Sequence, residues 1–373
     1  MKKLGFGTMR LPLLPGGSQK DIDLDQTKQM MDYFLEQGFT YVDTAYMYHD
    51  YTSELAVREA LVKRHPRESF LLADKMPVAM VKDASDYPRI FAEQLEKTGA
   101  DYFDYYLIHD VSRRVFSKVE KTGGFEYVQT LKEEGKVKHI GFSYHDDAEL
   151  LDEILSRHPE MEFVQLQINY ADWDDPLIQS RKCYEVCCKY GKDVFVMEPI
   201  KGGSLANVPE KVASLYKEYK PDASIASWAV RFAASHENVK MVLSGMSTLD
   251  QMKDNLSYMN SFQPLNDEEL KLVDEAVKII RDSYAVACTS CRYCVNHEPG
   301  CPMNISIPEY FSLYNVVHQH GNSWSVTQAH RTLKETYGTP DQCIGCGQCE
   351  QHCPQHIKII EVLADFYNKV KAE

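Results

Sequence analysis

Short apolar runs alternate with longer segments of helical periodicity along the first 260 or so residues. Runs at 4–10, 40–43, 70–76, 104–109, 138–143, 163–169, 194–199 and 240–245 predict eight strands. Between them, amphipathic patterns predict helices over 25–37, 53–64, 84–98, 124–134, 147–157, 175–190, 222–235 and 248–259. The strands are nearly all apolar rather than alternating, as expected when both faces of a parallel sheet are buried. Eight such units in this length predict an α/β fold of the (β/α)₈ TIM-barrel type. An open doubly wound sheet is the alternative, but no G-x-G-x-x-G follows the first strand. A further amphipathic stretch at 266–284 predicts a linker helix packed on the barrel. The pattern changes from residue 285, where cysteines crowd together around helical stretches at 308–319 and 325–336. The expected organisation is a barrel over 1–265, a linker helix over 266–284 and a small, mainly helical, cysteine-rich domain over 285–373.

Composition narrows the function classes. The chain has 373 residues, 44% hydrophobic and 26% charged, which excludes general disorder. Its formal net charge of −14 argues against nonspecific binding to nucleic acid or to anionic lipid, since both need a basic face. No run approaches the roughly 18 apolar residues of a membrane span. The first residues, MKKLGFGTMRLPLLPGG, hold no sustained apolar stretch, so no signal peptide is read and a cytoplasmic location is expected.

Eight of the eleven cysteines fall in the last 86 residues. They form two motifs, Cys288-x₂-Cys291-x₂-Cys294-x₆-Cys301-Pro302 and Cys343-x₂-Cys346-x₂-Cys349-x₃-Cys353-Pro354. Three thiolates at two-residue spacing can reach three irons of one cubane, and in two-cluster ferredoxins the fourth comes from the opposite motif. This pairs Cys288, Cys291 and Cys294 with Cys353, and Cys343, Cys346 and Cys349 with Cys301, around two [4Fe-4S] clusters, and reads 285–373 as a ferredoxin-like iron–sulphur domain. Gly345 and Gly347 let the backbone approach the cluster sulfurs. Zinc and disulfides are the competing readings. Zinc usually takes two separated pairs, which this spacing fits poorly, and disulfides belong to oxidising compartments. The first motif's longer last gap departs from the ferredoxin spacing. Cys183, Cys187 and Cys188 lie on a predicted helix and read as packing residues.

In a barrel, chemistry sits at the C-terminal ends of the strands. There the second strand ends in Asp43 with Tyr48 in the loop beyond, the third ends near Lys75, and the fourth ends in His109. Each has a bland reading alone: turn former, one of 23 tyrosines, surface lysine, core histidine. Together at three consecutive strand ends they form a coherent set. A carbonyl that receives a hydride needs a proton, which a tyrosine can supply. Lys75 would lower the phenol's pKa from its usual value near 10, Asp43 would hold Lys75, and His109 would orient the carbonyl oxygen.

At these residues the chain resembles an aldo-keto reductase of the iron–sulphur type. The resemblance covers essentially the whole chain, through VDTAYMYH, LLADKMP, YLIHD, HIGFSYHDD, VQLQINY, VMEPIKGGSLA, VLSGMSTLDQMKDNL, CTSCRYC and CIGCGQCEQHCP. It implies that Asp43, Tyr48, Lys75 and His109 are the catalytic tetrad, with Tyr48 as proton donor. It also implies an NADP or NAD cofactor. Ser143 and Gln167 match carboxamide-binding positions, and Met197 stands where a nicotinamide-stacking tyrosine is common. Lys201, Gly202, Gly203, Ser204 and Leu205 match the loop over the pyrophosphate, while Gly245, Ser247, Gln251 and Asn255 match the adenosine segment. The chain departs from the family at Tyr144 and His145, where Asn commonly follows Ser, and near the adenosine 2′-position, which leaves NADP against NAD open. Met47, Tyr144 and Trp173 are candidate pocket walls.

The leading expectation is therefore NAD(P)H-dependent reduction of a small-molecule carbonyl, with clusters that stabilise the fold. Electron exchange between the clusters and a protein partner is the alternative. A non-catalytic, NADP-binding regulatory barrel is a third reading, which an intact tetrad disfavours.

Overall fold

The computed structural model describes residues 2–175, 178–283, 285–296, 299–320 and 324–371. Eight parallel strands close into a barrel in chain order: β1 (Leu4–Gly7), β2 (Tyr41–Asp43), β3 (Leu71–Met76), β4 (Phe103–Val111), β5 (Val137–Tyr144), β6 (Phe163–Gln167), β7 (Asp193–Met197) and β8 (Val239–Ser244), with β8 pairing back onto β1. The apolar runs thus mark all eight strands, because burial on both faces leaves no polar alternation to obscure them.

The element ends differ from the sequence pattern for local reasons. β1 stops at Gly7 and a 3₁₀ turn covers Thr8–Arg10, where the Thr8 hydroxyl donates to the Asp43 carbonyl at 2.9 Å. The predicted helix 53–64 is an α-helix over Ser53–Val57 that widens into a π turn over Arg58–Val62. The predicted helix 175–190 begins at Ser180. Asp175 precedes a proline, which disfavours helical backbone at that position. Residues 176 and 177 of that helix, and Tyr284 of the helix at 266–284, lie outside the described residues. Helices over Arg113–Thr122 and Glu210–Tyr219 add to the simple βα alternation. Each is ten residues long and is the first of two helices in its βα unit, ahead of Gly124–Glu133 and Ile225–Ser235.

The chain divides into two compact units. The first comprises Met1–Asp174, Gln179–Ile200 and Ala226–Leu270, and the second Asp175–Ile178, Lys201–Ile225 and Lys271–Glu373. The division falls within the helix Asp267–Ser283.

In the first unit the barrel interior is filled by Tyr41, Ala73, Leu107, Phe163, Phe195, Met241 and Leu243. Aromatic rings dominate this layer; Phe163 and Phe195 lie 4.6 Å apart, and Tyr41 meets Tyr105 at 5.1 Å. Gly141 makes room for it, since a Cβ there would fall 2.3 Å from the Phe163 carbonyl oxygen. In the second unit, Val286, Ile305, Ile307, Tyr310, Phe311, Leu363 and Phe366 form a core that also contains Cys294 and Cys349.

Candidate active site and metal sites

Side chains two apart on a strand point to the same face. The inward residues Tyr41, Ala73 and Leu107 are therefore followed, one layer nearer the C-terminal ends, by Asp43, Lys75 and His109. The same step leads from Gly141 to Ser143 and from Phe195 to Met197. A polar layer thus sits on an apolar plug.

All three polar groups are buried. The Lys75 ammonium lies 2.5 Å from Asp43 Oδ1 and donates to the Thr44 carbonyl at 2.7 Å. Burial pushes the Asp43 carboxyl up, while Lys75 draws it back down. A β-bulge in β4 between Ile108 and Val111 surrounds His109, the kind of irregularity that re-aims a side chain. Burial, then the charges of Lys75 and His145, hold the His109 imidazole well below its usual pKa. It is neutral near pH 7 and can donate one hydrogen bond without carrying charge.

Tyr48 lies in the β2 loop, half-buried. Its ring is 4.9 Å from the Lys75 ammonium and meets the His109 ring edge-on at 6.0 Å. The three residues after it, His49, Asp50 and Tyr51, are all left-handed, with φ of 52°, 48° and 72°. The turn is anchored by His49, which accepts the Leu11 N–H at Nε2 (3.1 Å) and sits 3.0 Å from the Gln19 carbonyl at Nδ1. One sequence expectation is corrected here. The Tyr48 phenol is pushed well above its usual pKa, by burial first and then by Asp43, Glu198 and Asp74, with Arg10 opposing. Burial outweighs the nearby positive charge. The phenol stays protonated, which suits a proton donor.

Sequence reasoning missed several groups around this layer. Glu54 and Asp74 are both fully buried, and the Lys97 ammonium approaches Glu54 at 3.5 Å. Burial first and then the Glu54 carboxylate push the Asp74 carboxyl well up. Gln167 Nε2 and Asn169 Nδ2 both donate to Asp172 Oδ2, at 2.7 and 2.8 Å. Arg10 and Glu198 pair at 3.7 Å, near enough to Tyr48 to act on its charge. The signal available was a polar residue at the end of an apolar run, as at Asn169; Glu54 gave none.

The predicted dinucleotide residues divide between the units. Ser143 accepts the Asp110 N–H at 2.8 Å, and Gln167 is clamped as described. At the end of β8, Ser247 donates to the Arg10 carbonyl, its N–H donates to Gln251 Oε1 at 2.7 Å, and Asn255 is buried against Ser244. Lys201–Leu205 belong to the second unit. There Lys201, Gly202 and Gly203 are successively left-handed, with φ of 45°, 65° and 100°. A Cβ on Gly203 would meet nothing within 4 Å, so an open backbone face is available to a bulky anion. Of the candidate walls, Tyr144 donates to the Asp147 carbonyl and is buried, and Trp173 stacks on His236 at 4.1 Å. Both take packing contacts; Met47 is half-buried.

The eight clustered cysteines gather into two cavities. One is lined by Cys288, Cys291, Cys294 and Cys353, the other by Cys301, Cys343, Cys346 and Cys349. This is the crossed arrangement expected from the spacing. None of the eleven thiols is in a disulfide. Burial and neighbouring thiols push Cys349 up to about 12 and Cys294 further. Each set brings one buried and three more accessible thiols around one space, and a four-cysteine donor set fits an iron–sulphur cluster. Backbone amides reinforce it: Ser290 N–H points at Cys288 Sγ from 3.3 Å, and amides of Ile357, Gln355 and His356 donate to Cys353.

Comparison with known proteins agrees with this geometry. The aldo/keto reductase family model matches residues 3–278, and a 4Fe-4S dicluster domain model matches residues 287–357. The chain belongs to the aldo/keto reductase family and carries a 4Fe-4S domain. Its relatives include an aldo-keto reductase of Glycine max, 28% identical over 54% of this chain and 57% of that one. Thus the chain spans just over half the length of that relative. Among solved structures, the holo form of an aldo-keto reductase from Bacillus halodurans has 24% identity and a TM-score of 0.60, covering 74% of this chain and 91% of that one. An aldo-keto reductase from Klebsiella pneumoniae in complex with NADPH has 20% identity and a TM-score of 0.58, covering 73% and 90%. No helix among the described residues is long and apolar enough to cross a membrane.

Proposed function

We propose that this protein is a cytoplasmic NAD(P)H-dependent carbonyl reductase that converts a small aldehyde or ketone to an alcohol and carries two [4Fe-4S] clusters. The observation that carries the reading is the polar layer of Asp43, Lys75 and His109 on the barrel plug, with the Tyr48 phenol beside it. The nicotinamide would supply a hydride to the carbonyl carbon. Tyr48 gives its proton to the oxygen, which becomes an alkoxide, a much stronger base than a phenolate. Neutral His109 donates a hydrogen bond that orients that oxygen, and Asp43 fixes Lys75 beside the phenol. Positioned proton transfer of this kind contributes about 10²–10⁴-fold.

Ser143 and Gln167 would hold the carboxamide and Met197 would face the ring. Lys201–Leu205 would serve the pyrophosphate, and Gly245, Ser247, Gln251 and Asn255 the adenosine. The clusters are read as stabilising the part of the chain from 285 onward, with Cys288, Cys291, Cys294 and Cys353 on one and Cys301, Cys343, Cys346 and Cys349 on the other. The place of Cys294 and Cys349 inside the hydrophobic core supports a structural role. A nicotinamide moves two electrons as hydride and a cluster normally one, so the reading keeps the clusters out of the hydride step.

The test is anaerobic purification followed by NADPH or NADH with and without a panel of aldehydes and ketones. Oxidation of nicotinamide only when a carbonyl is present, with a steady cluster absorbance, supports the proposal. Bleaching of the clusters by nicotinamide alone would instead favour electron exchange with a protein partner.

A further inference from the structure

The loop Lys201–Gly203 shares the second unit with the cysteine motifs and lies directly on the first of them. A Cβ placed on Gly202 would come 2.1 Å from the Thr289 carbonyl oxygen and 2.7 Å from its Cα. The Gly202 backbone therefore rests on the Thr289 peptide, and no other residue fits. Thr289 is buried and stands between Cys288 and Cys291. One residue earlier, the buried Lys201 ammonium donates to Gln355 Oε1 at 3.3 Å. Gln355 is itself buried, two residues after Cys353, and its amide donates to the Cys353 sulfur. Both parts of one crossed ligand set thus bear on successive residues of the loop. The cavity of Cys288, Cys291, Cys294 and Cys353 is lined by Thr289 and Gln355; the other cavity is lined by neither.

We propose that Thr289 and Gln355 are positioning residues through which the first iron–sulphur centre fixes the dinucleotide-phosphate loop, so that cofactor affinity depends on loading of that centre and not of the second. The inference rests on the reading of Lys201–Gly203 as the phosphate loop. Its physical basis is pre-organisation. Three consecutive left-handed residues persist only where their surroundings hold them. A metal cluster that ties four sulfurs together removes the freedom of the peptides between them. A loop already held in its binding form loses less entropy when an anion arrives.

The experiment measures NADPH dissociation constants, by nicotinamide fluorescence without oxygen, for the full chain and for variants. Cys291→Ser should weaken binding about tenfold or more, within the usual range of coupling between sites, and Cys346→Ser should leave it nearly unchanged. Because Cys291→Ser could fail to fold, Gln355→Ala provides a second arm with both clusters retained by iron count and absorbance. It should raise the KM for NADPH at constant kcat, and Gln355→Glu, which keeps an acceptor for Lys201, should restore it. In the unaltered protein, saturating NADP⁺ should slow chelator removal of half the iron and leave the other half unaffected. If the unaltered protein binds and turns over NADPH while these variants bind equally well and the chelator sees no protection, the inference is overturned and the reductase reading stands. If the cluster-loaded protein binds neither NADPH nor NADH, the phosphate-loop reading falls and takes this inference with it.

Discussion

The two units hold their chemistry in opposite ways. The first places Asp43, Lys75 and His109 on a rigid frame of eight strands above an interior already closed by Phe163, Phe195 and Tyr41. Its polar groups lie outside that hydrophobic layer and are paired with one another. In the second unit the functional side chains are part of the core, since Cys294 and Cys349 pack among Ile305, Ile307 and Phe311. Removing the chemistry there also removes structure. A polar group on a barrel is free to be optimised for reaction, whereas a ligand inside a small core must serve packing as well.

Anaerobic chelation of iron is the strongest way to break this comparison. It should abolish protease protection of the second unit in the full chain, while barrel near-ultraviolet dichroism persists; equal loss in both units would show that the barrel also depends on metal. Next, Tyr48→Phe should lower kcat by about 10²–10⁴-fold or more, with unfolding midpoint and cluster absorbance unchanged, because the hydroxyl does its work in proton transfer. A parallel fall in stability would mean that the phenol is structural.

Asp43→Asn should be costlier to stability than its single atom suggests. It leaves the buried Lys75 ammonium without a counter-charge, and breaking such a pair typically costs about 3–5 kcal/mol, to be read by denaturant unfolding of the barrel. The smallest expected effect is on pH. Burial lowers the pKa of His109 well below normal and that of His236 to about 4. The unfolded chain then binds these protons first, so barrel stability is full above the unfolded value of about 6.5 and falls as pH drops below it. For His236 the loss levels off below about 4. His236→Gln should flatten the stability curve between these limits, as followed by urea midpoints; an unchanged slope would place the proton uptake elsewhere.

Much of this architecture was legible in the chain. Strands buried on both faces announce themselves as unbroken apolar runs, and polar residues that end several such runs, as in LLADKM and YYLIHD, mark a candidate site by occurring together. The helices at Arg113–Thr122 and Glu210–Tyr219 were passed over for another reason: each adds a second helix to a unit in which strict βα alternation expects one. Glu54 escaped notice because a carboxylate on a short helix looks solvent-facing until its partner Asp74, twenty residues on, is seen beside it. The direction of the Tyr48 shift was misjudged because burial, which raises a phenol's pKa, is not visible in the chain.

The sequence by itself determined the eight strands of the barrel and the grouping of the thiols into two motifs, since both follow from local period and spacing. Only the tertiary structure decided what long-range burial and contact control: the raised pKa of Tyr48, the raised pKa of Asp74 beside Glu54, and the seating of Gly202 on Thr289. Spacing along a chain says which groups can meet. How far each is removed from water, and which neighbours it meets there, is a property of the packed molecule.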